Sequence, residues 1–326
     1  MSSSSHLKPP QEAWDFMLPG PASRSNGGCS DCSTTGLLAY GAGSSIAVIE
    51  IRSSQLVSVL PMPPPSSSSL SPFVTSLRWA PQPLRPFPTS DPSLSHLRLA
   101  VGDRQGRIAL CDLRHRQLLL WFDSCPSSSA GIQDLCWVLS APSSFLLASL
   151  SGPSLLALWD PSSGRCLWKY DASPEYLSCL RRDPFDSRHL CALGLRGFLL
   201  SAKVLGDRLD DDVLLSEHQI PAAHSDSFLE LQKLEREAAA SPGAPALAAF
   251  PTFFVRFAFS PQWRHILFVT FPRELVVFDL QYGTSLSSMG FPRGCPKFMD
   301  VVPDLDHDLI YCVHIDGKLS IWKRKE

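Results

Sequence analysis

The chain has 326 residues, of which 44% are hydrophobic, 18% are charged and 29 are proline. This length is enough for one large domain or two ordinary ones, each with a buried core. The charged fraction lies below the usual ~25% of globular proteins, which argues against a wholly disordered chain. The formal net charge is −2, whereas a general binder of phosphate backbones is basic. We therefore expect no nucleic-acid partner.

The N-terminal residues lack the apolar core of a secretory signal. Disulfides are rare in proteins that are not exported, so we expect the ten cysteines to be reduced and mostly buried. Residues 135–159 carry no charge, but Pro142, Gly152 and Pro153 interrupt them. A spanning helix needs roughly 20 continuous apolar residues. These features predict a soluble protein without an integral membrane span.

Residues 1–33 are rich in Ser, Pro and Gly and show no hydrophobic periodicity, which is typical of a flexible tail. In residues 34–326, short apolar runs recur in sets of three, and the third run often ends in Trp or Asp. These third runs end near positions 112, 160, 203, 279 and 323, so most ends lie 43 to 48 residues apart. A period of ~40–45 residues with several short strands predicts a β-propeller, in which each unit buries its faces against its neighbours. We therefore predict an all-β chain with six recognisable units.

One gap between successive units is 76 residues long, which predicts an insertion at residues 206–250. Part of it, residues 226–240, is predicted to form a helix, because Phe228, Leu231 and Leu234 fall on one apolar stripe. Ser227 and Glu230 match an N-terminal capping box. The stripe either packs on the rim of the propeller or binds a groove of a partner protein.

Turn and strand-end positions form a second group of predictions. Asp316 and Gly317 lie between alternating apolar runs, as in a tight hairpin turn that needs positive φ. Asp103 and Gly106 bound a longer version of this turn. A Trp that ends an inner strand fills the wedge between neighbouring sheets. The predicted structural positions are Asp103, Gly106, Asp112, Trp159, Asp160, Asp279, Asp316, Gly317 and Trp322.

Residues that carry chemistry are scattered along the chain. Cys29 and Cys32 form a lone C-x-x-C pair, whereas a structural zinc site needs four protein ligands. No G-x-S-x-G motif precedes a helix, and His189 and His314 lie on predicted strands, where a structural role is favoured. A propeller hydrolase would need clustered carboxylates or histidines on its inner strands, and only isolated ones such as Asp134 are present. We therefore expect no catalytic residue, no cofactor and no metal.

Several strings resemble known repeats. Residues 102–112 are similar to a WD40 unit, with Cys111 where Trp usually stands, and residues 155–160 keep the Trp-Asp ending. More specific strings occur in a fixed order and together resemble the first propeller of the WD repeat-containing protein 11 family. They are residues 36–41, 132–137, 183–186 with 189–190, and 272–275 with 279–280.

The resemblance implies a non-enzymatic WD40 scaffold that works in the cytoplasm, at the periphery of the trans-Golgi network and its vesicles. Its implied partners are other subunits of a complex and golgin-type tethers, with which the family captures endosome-derived vesicles. Members are much longer and carry a second propeller, which leaves open whether this chain is a fragment or a truncated product. Seven units are usual, and the seventh is therefore expected to be absent or incomplete.

An alternative function comes from residues 111–114. This Cys-Asp-Leu-Arg string comes near the Trp-Asp-x-Arg ending of substrate receptors of cullin-type ubiquitin ligases. The Trp is replaced, and residues 159–162 lack the Arg, which weakens the resemblance. Binding of the ligase adaptor that is lost on Arg114→Ala would favour this function, whereas recovery of golgins would favour the vesicle scaffold.

Overall fold

The computed structural model describes residues 26, 29–66, 71–81, 97–122, 131–141, 144–206, 213–221 and 255–323. These residues form 23 β-strands in six antiparallel sheets and no α-helix. Within each sheet, strands that follow one another in sequence are hydrogen-bonded neighbours, so every sheet is a meander. The prediction of an all-β chain with six units is confirmed.

The first three sheets contain four strands each. Sheet 1 consists of β1 (Ser30–Cys32), β2 (Leu37–Ala42), β3 (Ser45–Glu50) and β4 (Gln55–Pro61). Sheet 2 consists of β5 (Val74–Trp79), β6 (Arg98–Asp103), β7 (Ile108–Asp112) and β8 (Gln117–Trp121). Sheet 3 consists of β9 (Ile132–Ala141), β10 (Ser144–Ser151), β11 (Leu155–Trp159) and β12 (Cys166–Asp171).

Sheets 4 and 5 have four strands, and sheet 6 has three. Sheet 4 consists of β13 (Leu177–Arg182), β14 (His189–Gly194), β15 (Phe198–Val204) and β16 (Val213–Gln219). Sheet 5 consists of β17 (Arg256–Phe259), β18 (Ile266–Thr270), β19 (Glu274–Asp279) and β20 (Thr284–Gly290). Sheet 6 consists of β21 (Phe298–Pro303), β22 (Leu309–His314) and β23 (Leu319–Lys323).

The sheets radiate from a common axis. The first strand of each sheet lies beside the first strand of the next, from β1 and β5 through to β17 and β21. Apolar side chains from both neighbours fill each space between sheets, as Leu199 and Phe257 do between sheets 4 and 5. Burying one large apolar side chain contributes about 1.5–3 kcal/mol. A sheet that is apolar on both faces is therefore stable only between neighbours.

The propeller begins before the predicted boundary at residue 34. β1 lies within the predicted tail, and Trp79 holds it: its backbone and indole N–H groups donate to the side chain and carbonyl of Asp31, at 2.8 and 3.0 Å. Asn26 is 1% exposed, and its side-chain amide donates to the carbonyls of Gly43 in sheet 1 and Val74 in sheet 2. Hydrogen bonds to distant residues, which leave no local pattern, thus order the end of this segment.

The predicted insertion at residues 206–250 contains a strand of the propeller. β16 is the fourth strand of sheet 4 and pairs along its whole length with β15. Its side chains are half-buried or exposed, so it lacks the continuous apolar run by which the inner strands were recognised. The predicted helix with Phe228, Leu231 and Leu234 lies outside the described residues. In the part of the chain that is described, no helix is long and apolar enough to cross a bilayer.

Candidate functional site

Charged side chains line the centre of the propeller. The six innermost strands, as described, carry four arginines and three aspartates and no other charged residue. Because these strands meet at the axis, charges from different sheets come within reach of each other. The residues are Asp31, Arg78, Asp134, Arg181, Arg182, Arg256 and Asp300.

Asp134 of sheet 3 binds residues of sheets 2 and 4 in this cluster. Its two carboxylate oxygens accept hydrogen bonds from Arg78 of sheet 2 at 2.7 Å and from Arg181 of sheet 4 at 3.0 Å. The backbone N–H of Leu180 adds a third bond at 2.9 Å. Burial by itself would raise the pKa of Asp134, but the positive charges of Arg78, Arg181 and Arg256 lower it below its ordinary value. Asp134 therefore joins sheets 2, 3 and 4 as an anion at neutral pH.

A cleft of about 420 Å³ opens beside this cluster. Its lining residues include Trp79, Trp137, Arg78 and Arg182. Both indole N–H groups are used within the protein, since Trp79 donates to the Asp31 carbonyl and Trp137 donates to the Arg78 carbonyl at 3.3 Å. Each of these tryptophans is 7% exposed, so only a small part of its surface reaches the cleft.

Arg182 brings a positive charge to the cleft. It is half-buried at the end of β13, and among the described residues its side chain has no hydrogen-bond or ion-pair partner. Arg78 is already paired with Asp134, and burial raises the pKa of the Asp31 carboxyl group, which also lines the cleft, and so favours its neutral form. Guanidinium groups bind carboxylates through charge-assisted hydrogen bonds. The cleft is therefore the candidate site for an acidic side chain of a partner.

A chain of three polar side chains crosses sheet 4. The His189 Nδ1 N–H donates to the Asp183 carboxylate at 2.9 Å, and its Nε2 accepts from the Ser201 hydroxyl at 2.7 Å. Burial opposes ionisation, but the hydrogen bond from His189 lowers the pKa of Asp183. All three residues are under 10% exposed. Because they tie the β13–β14 turn to β15, we interpret this chain as structural.

His314 makes a similar network in sheet 6. Its Nδ1 lies 2.7 Å from the Pro296 carbonyl, which only accepts, so Nδ1 carries the proton. Nε2 then accepts from the Ser320 hydroxyl at 2.8 Å, and the Trp322 indole donates to the same hydroxyl at 3.0 Å. The predicted position Trp322 is thus hydrogen-bonded within its own sheet.

The aspartates that end third strands act on the turns that follow. Asp112, Asp160 and Asp279 each accept, through one carboxylate oxygen, the backbone N–H two residues later, at 2.8–2.9 Å. Asp316 makes the same bond at 3.1 Å, and Gly317 beside it has a φ of 83°. Such side-chain-to-backbone bonds stabilise turns, so these four carboxylates and this glycine shape loops.

Two other predicted positions lie in the core. Asp103 is 2% exposed and accepts hydrogen bonds from the backbone N–H and the Nε of Arg107, at 2.9 and 2.6 Å. Gly106, between them, has a φ of 80°. Trp159 is 5% exposed and donates its indole N–H to Ser149 at 2.8 Å. These contacts give each position a role in packing or in turn formation.

Sequence reasoning missed the charged cluster and the cleft. Arg78 and Asp134 are 56 positions apart in the chain, and Arg181 is 47 positions from Asp134. No spacing rule links residues at such distances. The signal that the sequence did contain for this cluster was a charged residue within each innermost strand. Among the described residues, no group of His, Cys, Asp or Glu is arranged to hold a metal ion, and Cys29 and Cys32 are free thiols.

Six radial antiparallel sheets with aspartate-capped turns define a WD40-type β-propeller. A family model described as the WDR11 first beta-propeller matches residues 20–326, so the chain belongs to this family. It is 24% identical over 322 residues to mouse (Mus musculus) WD repeat-containing protein 11, and 24% identical over 318 residues to the human (Homo sapiens) protein. Each match covers 94% of this chain and 25% of the relative, so the chain spans about a quarter of their length.

A solved structure supports the fold alone. One chain of the crystal structure of a mitotic checkpoint complex matches with a TM-score of 0.62 and 14% sequence identity. The match covers 100% of this chain and 83% of that one. The family model confirms the family that the sequence resembled. The six-sheet architecture confirms the predicted propeller.

Proposed function

We propose that this chain is a non-enzymatic WD40 scaffold in a complex that tethers endosome-derived vesicles at the trans-Golgi network. The observation that carries the proposal is the six-sheet propeller, which the WDR11 first-propeller model matches over residues 20–326. The proposed partners are other subunits of the complex and golgin-type tethers. The proposed location is cytoplasmic and peripheral, at the trans-Golgi network and its vesicles.

The physical properties of the propeller support a binding role. Sheets buried on both faces form a rigid frame, and recognition concentrates in loops and clefts that such a frame positions. The cleft beside Arg182 combines apolar walls with an unpaired cation. A protein segment that carries an acidic side chain next to apolar ones fits both features.

Proximity labelling in intact cells tests the function. The full chain is fused to a labelling enzyme, and labelled proteins are identified by mass spectrometry against the enzyme alone. Golgins and subunits of one complex are the expected products. Labelling that gives neither would overturn the proposal.

The alternative, a receptor of a cullin-type ligase, has its own outcome in the same experiment. The Arg114 side chain is exposed in the turn that Asp112 caps, so a partner protein could reach it. Recovery of the ligase adaptor that Arg114→Ala abolishes would support the alternative. Arg116→Ala, in the same exposed turn, is the matched control.

The role of the cleft is tested by Arg182→Gln. Arg182 has no described partner, so its loss leaves the internal contacts intact while it removes the free charge. We expect reduced recovery of the labelled partners. Arg116→Gln removes an exposed charge in the turn after β7 and serves as the control. Equal recovery from both variants would exclude the cleft as the binding site.

A further inference from the structure

Three connections lie at one end of sheets 5 and 6. They are residues 271–273, between β18 and β19, residues 291–297, between β20 and β21, and residues 315–318, between β22 and β23. Neighbouring strands of each sheet run antiparallel, so all three connections share one end of the propeller. The cleft opens at the other end, where the first strands of sheets 2 and 4 finish. We call the three connections the end loops.

Backbone hydrogen bonds join the end loops into one surface. The N–H of Ile315 donates to the Lys297 carbonyl at 3.1 Å and so links two of the loops. The N–H of Phe298, the first residue of β21, donates to the Pro272 carbonyl at 3.0 Å and links the third. Residues 255–323 are described without a break, so every residue of the end loops is described.

The end loops carry a surplus of positive charge. They contain four cations and one carboxylate, although the whole chain has a formal net charge of −2. Arg293 and Lys318 are exposed, and Arg273 and Lys297 are half-buried. The carboxylate belongs to Asp316, which pairs with Lys318 at 2.8 Å. The end loops as a whole are therefore basic.

Two apolar side chains stand among these charges. Phe291 is 36% exposed and Ile315 is 47% exposed, so the propeller covers neither of them fully. The ring of Phe291 meets the buried ring of Phe298 nearly at right angles, with the ring centroids 6.4 Å apart. This contact anchors the start of its loop on the core. The end loops consequently present apolar and cationic groups side by side.

An anionic membrane matches this combination of groups. Its surface presents charged lipid headgroups above apolar acyl chains, and it extends over the whole area of the end loops. Cations from three loops can each contact a headgroup, while the apolar side chains enter the interface. A single acidic side chain would engage only part of these cations and neither apolar side chain.

We propose that the end loops dock the propeller on a membrane that contains anionic phospholipid. The four cations bind headgroups, and Phe291 and Ile315 enter the interface between headgroups and acyl chains. Much of the attraction is electrostatic, so it weakens as salt screens the charges. This proposal rests on the proposed location at vesicle membranes, and it names the surface and the lipid class that hold the chain there. The cleft, at the opposite end, stays open to a partner protein.

Sedimentation of the full chain with lipid vesicles tests the proposal. The vesicles contain phosphatidylserine and phosphatidylcholine in equal parts, or phosphatidylcholine alone. We expect the chain to sediment with the anionic vesicles, to stay in solution with the neutral ones, and to dissociate as sodium chloride is added. A chain that binds neither kind of vesicle, or both kinds equally, would overturn the proposal.

Matched variants test whether the end loops make the contact. Within the described part of the chain Arg293 has no hydrogen-bond or ion-pair partner, so Arg293→Gln leaves the internal contacts intact. It should weaken binding to anionic vesicles about fivefold. Arg52→Gln, at an exposed position in the β3–β4 turn of the opposite end, is its control. Ile315→Ser should weaken binding severalfold, and Leu305→Ser, at a side chain that is 78% exposed in the β21–β22 turn, is the matched control. Thermal melting verifies that each variant is folded.

Three outcomes would count against the proposal. Equal vesicle binding by Arg293→Gln and Arg52→Gln would place the membrane contact outside the end loops and refute it. Displacement from vesicles by sodium phosphate, but not by sodium chloride of the same ionic strength, would assign the end loops to a discrete phosphate group instead of a bilayer surface. Binding to poly-glutamate without binding to vesicles would assign them to an acidic protein segment.

Proximity labelling keeps the two proposals apart. If the wild type labels golgins but does not bind anionic vesicles, the scaffold function stands and only the membrane proposal fails. If the chain binds anionic vesicles through the end loops but labels neither golgins nor subunits of one complex, the membrane contact stands and the scaffold function fails.

Discussion

Replacing Asp134 by Asn tests the ion cluster that joins sheets 2, 3 and 4. The substitution keeps the shape of the side chain but removes its charge. Arg78 and Arg181 would then face a neutral group, and the Asn amide would point one N–H donor group at donors that now bind a carboxylate oxygen. The expected result is a lower free energy of unfolding.

The magnitude follows from burial. Removing one partner of a buried ion pair costs about 3–5 kcal/mol. The Asp134 side chain is 6% exposed, but those of Arg78 and Arg181 are 23% and 30% exposed and keep some water. We therefore expect the lower end of that range, about 3 kcal/mol. For a chain of 326 residues with an unfolding entropy of about 2.1 cal/mol/K per residue, such a loss lowers the melting temperature by roughly 4–5 °C.

Urea titration and thermal melting followed by circular dichroism measure the effect. Asp308→Asn is the control, because Asp308 is exposed and has no described partner. We expect the control to unfold like the wild type. A difference of less than about 1 kcal/mol between Asp134→Asn and the wild type would refute the argument, since it would mean that the cluster contributes no more than a surface pair.

The same carboxylate predicts a dependence on pH. The pKa of Asp134 is lowered in the folded protein, so its contribution to stability is present above the unfolded-state pKa of about 3.9. The contribution disappears as the pH falls through the lowered pKa of the folded state. The stability gap between wild type and Asp134→Asn should therefore narrow below about pH 4. A gap that stays constant from neutral pH into this range would contradict the assignment.

Three further predictions concern local structure. Asp103→Asn should lower the free energy of unfolding by about 3 kcal/mol in urea titration, because it breaks a buried ion pair. Asp316→Asn, in an exposed turn, should leave this free energy nearly unchanged. Equal effects of the two substitutions would contradict this prediction. Gly197→Ala should melt well below Gly317→Ala: both glycines have a φ of 83°, but only at Gly197 would the new Cβ lie 2.3 Å from a backbone oxygen. Cys111, whose pKa burial raises to about 12, should react with iodoacetamide only after unfolding, as mass spectrometry will show.

Strands that are buried on both faces could be predicted from the sequence, and several strands without a continuous apolar run could not. Strands such as β6 and β14 are buried on both faces and therefore read as continuous apolar runs. β20, with the sequence Thr-Ser-Leu-Ser-Ser-Met-Gly, is a strand only because β19 pairs with it. β1 likewise depends on hydrogen bonds from Trp79, in the next sheet. These strands are recognised by the residues with which they pair, and a local sequence pattern does not contain that information.

The sequence by itself determined the six-fold recurrence, the family and the turn residues, because periodicity and side-chain-to-backbone bonds at Asp112 or Asp316 act over a few residues. Only the tertiary structure decided which charges meet at the axis. Asp134 binds Arg78 and Arg181 because three sheets converge there. This contact depends on how separate sheets pack, a relation between distant segments that no single stretch of sequence encodes.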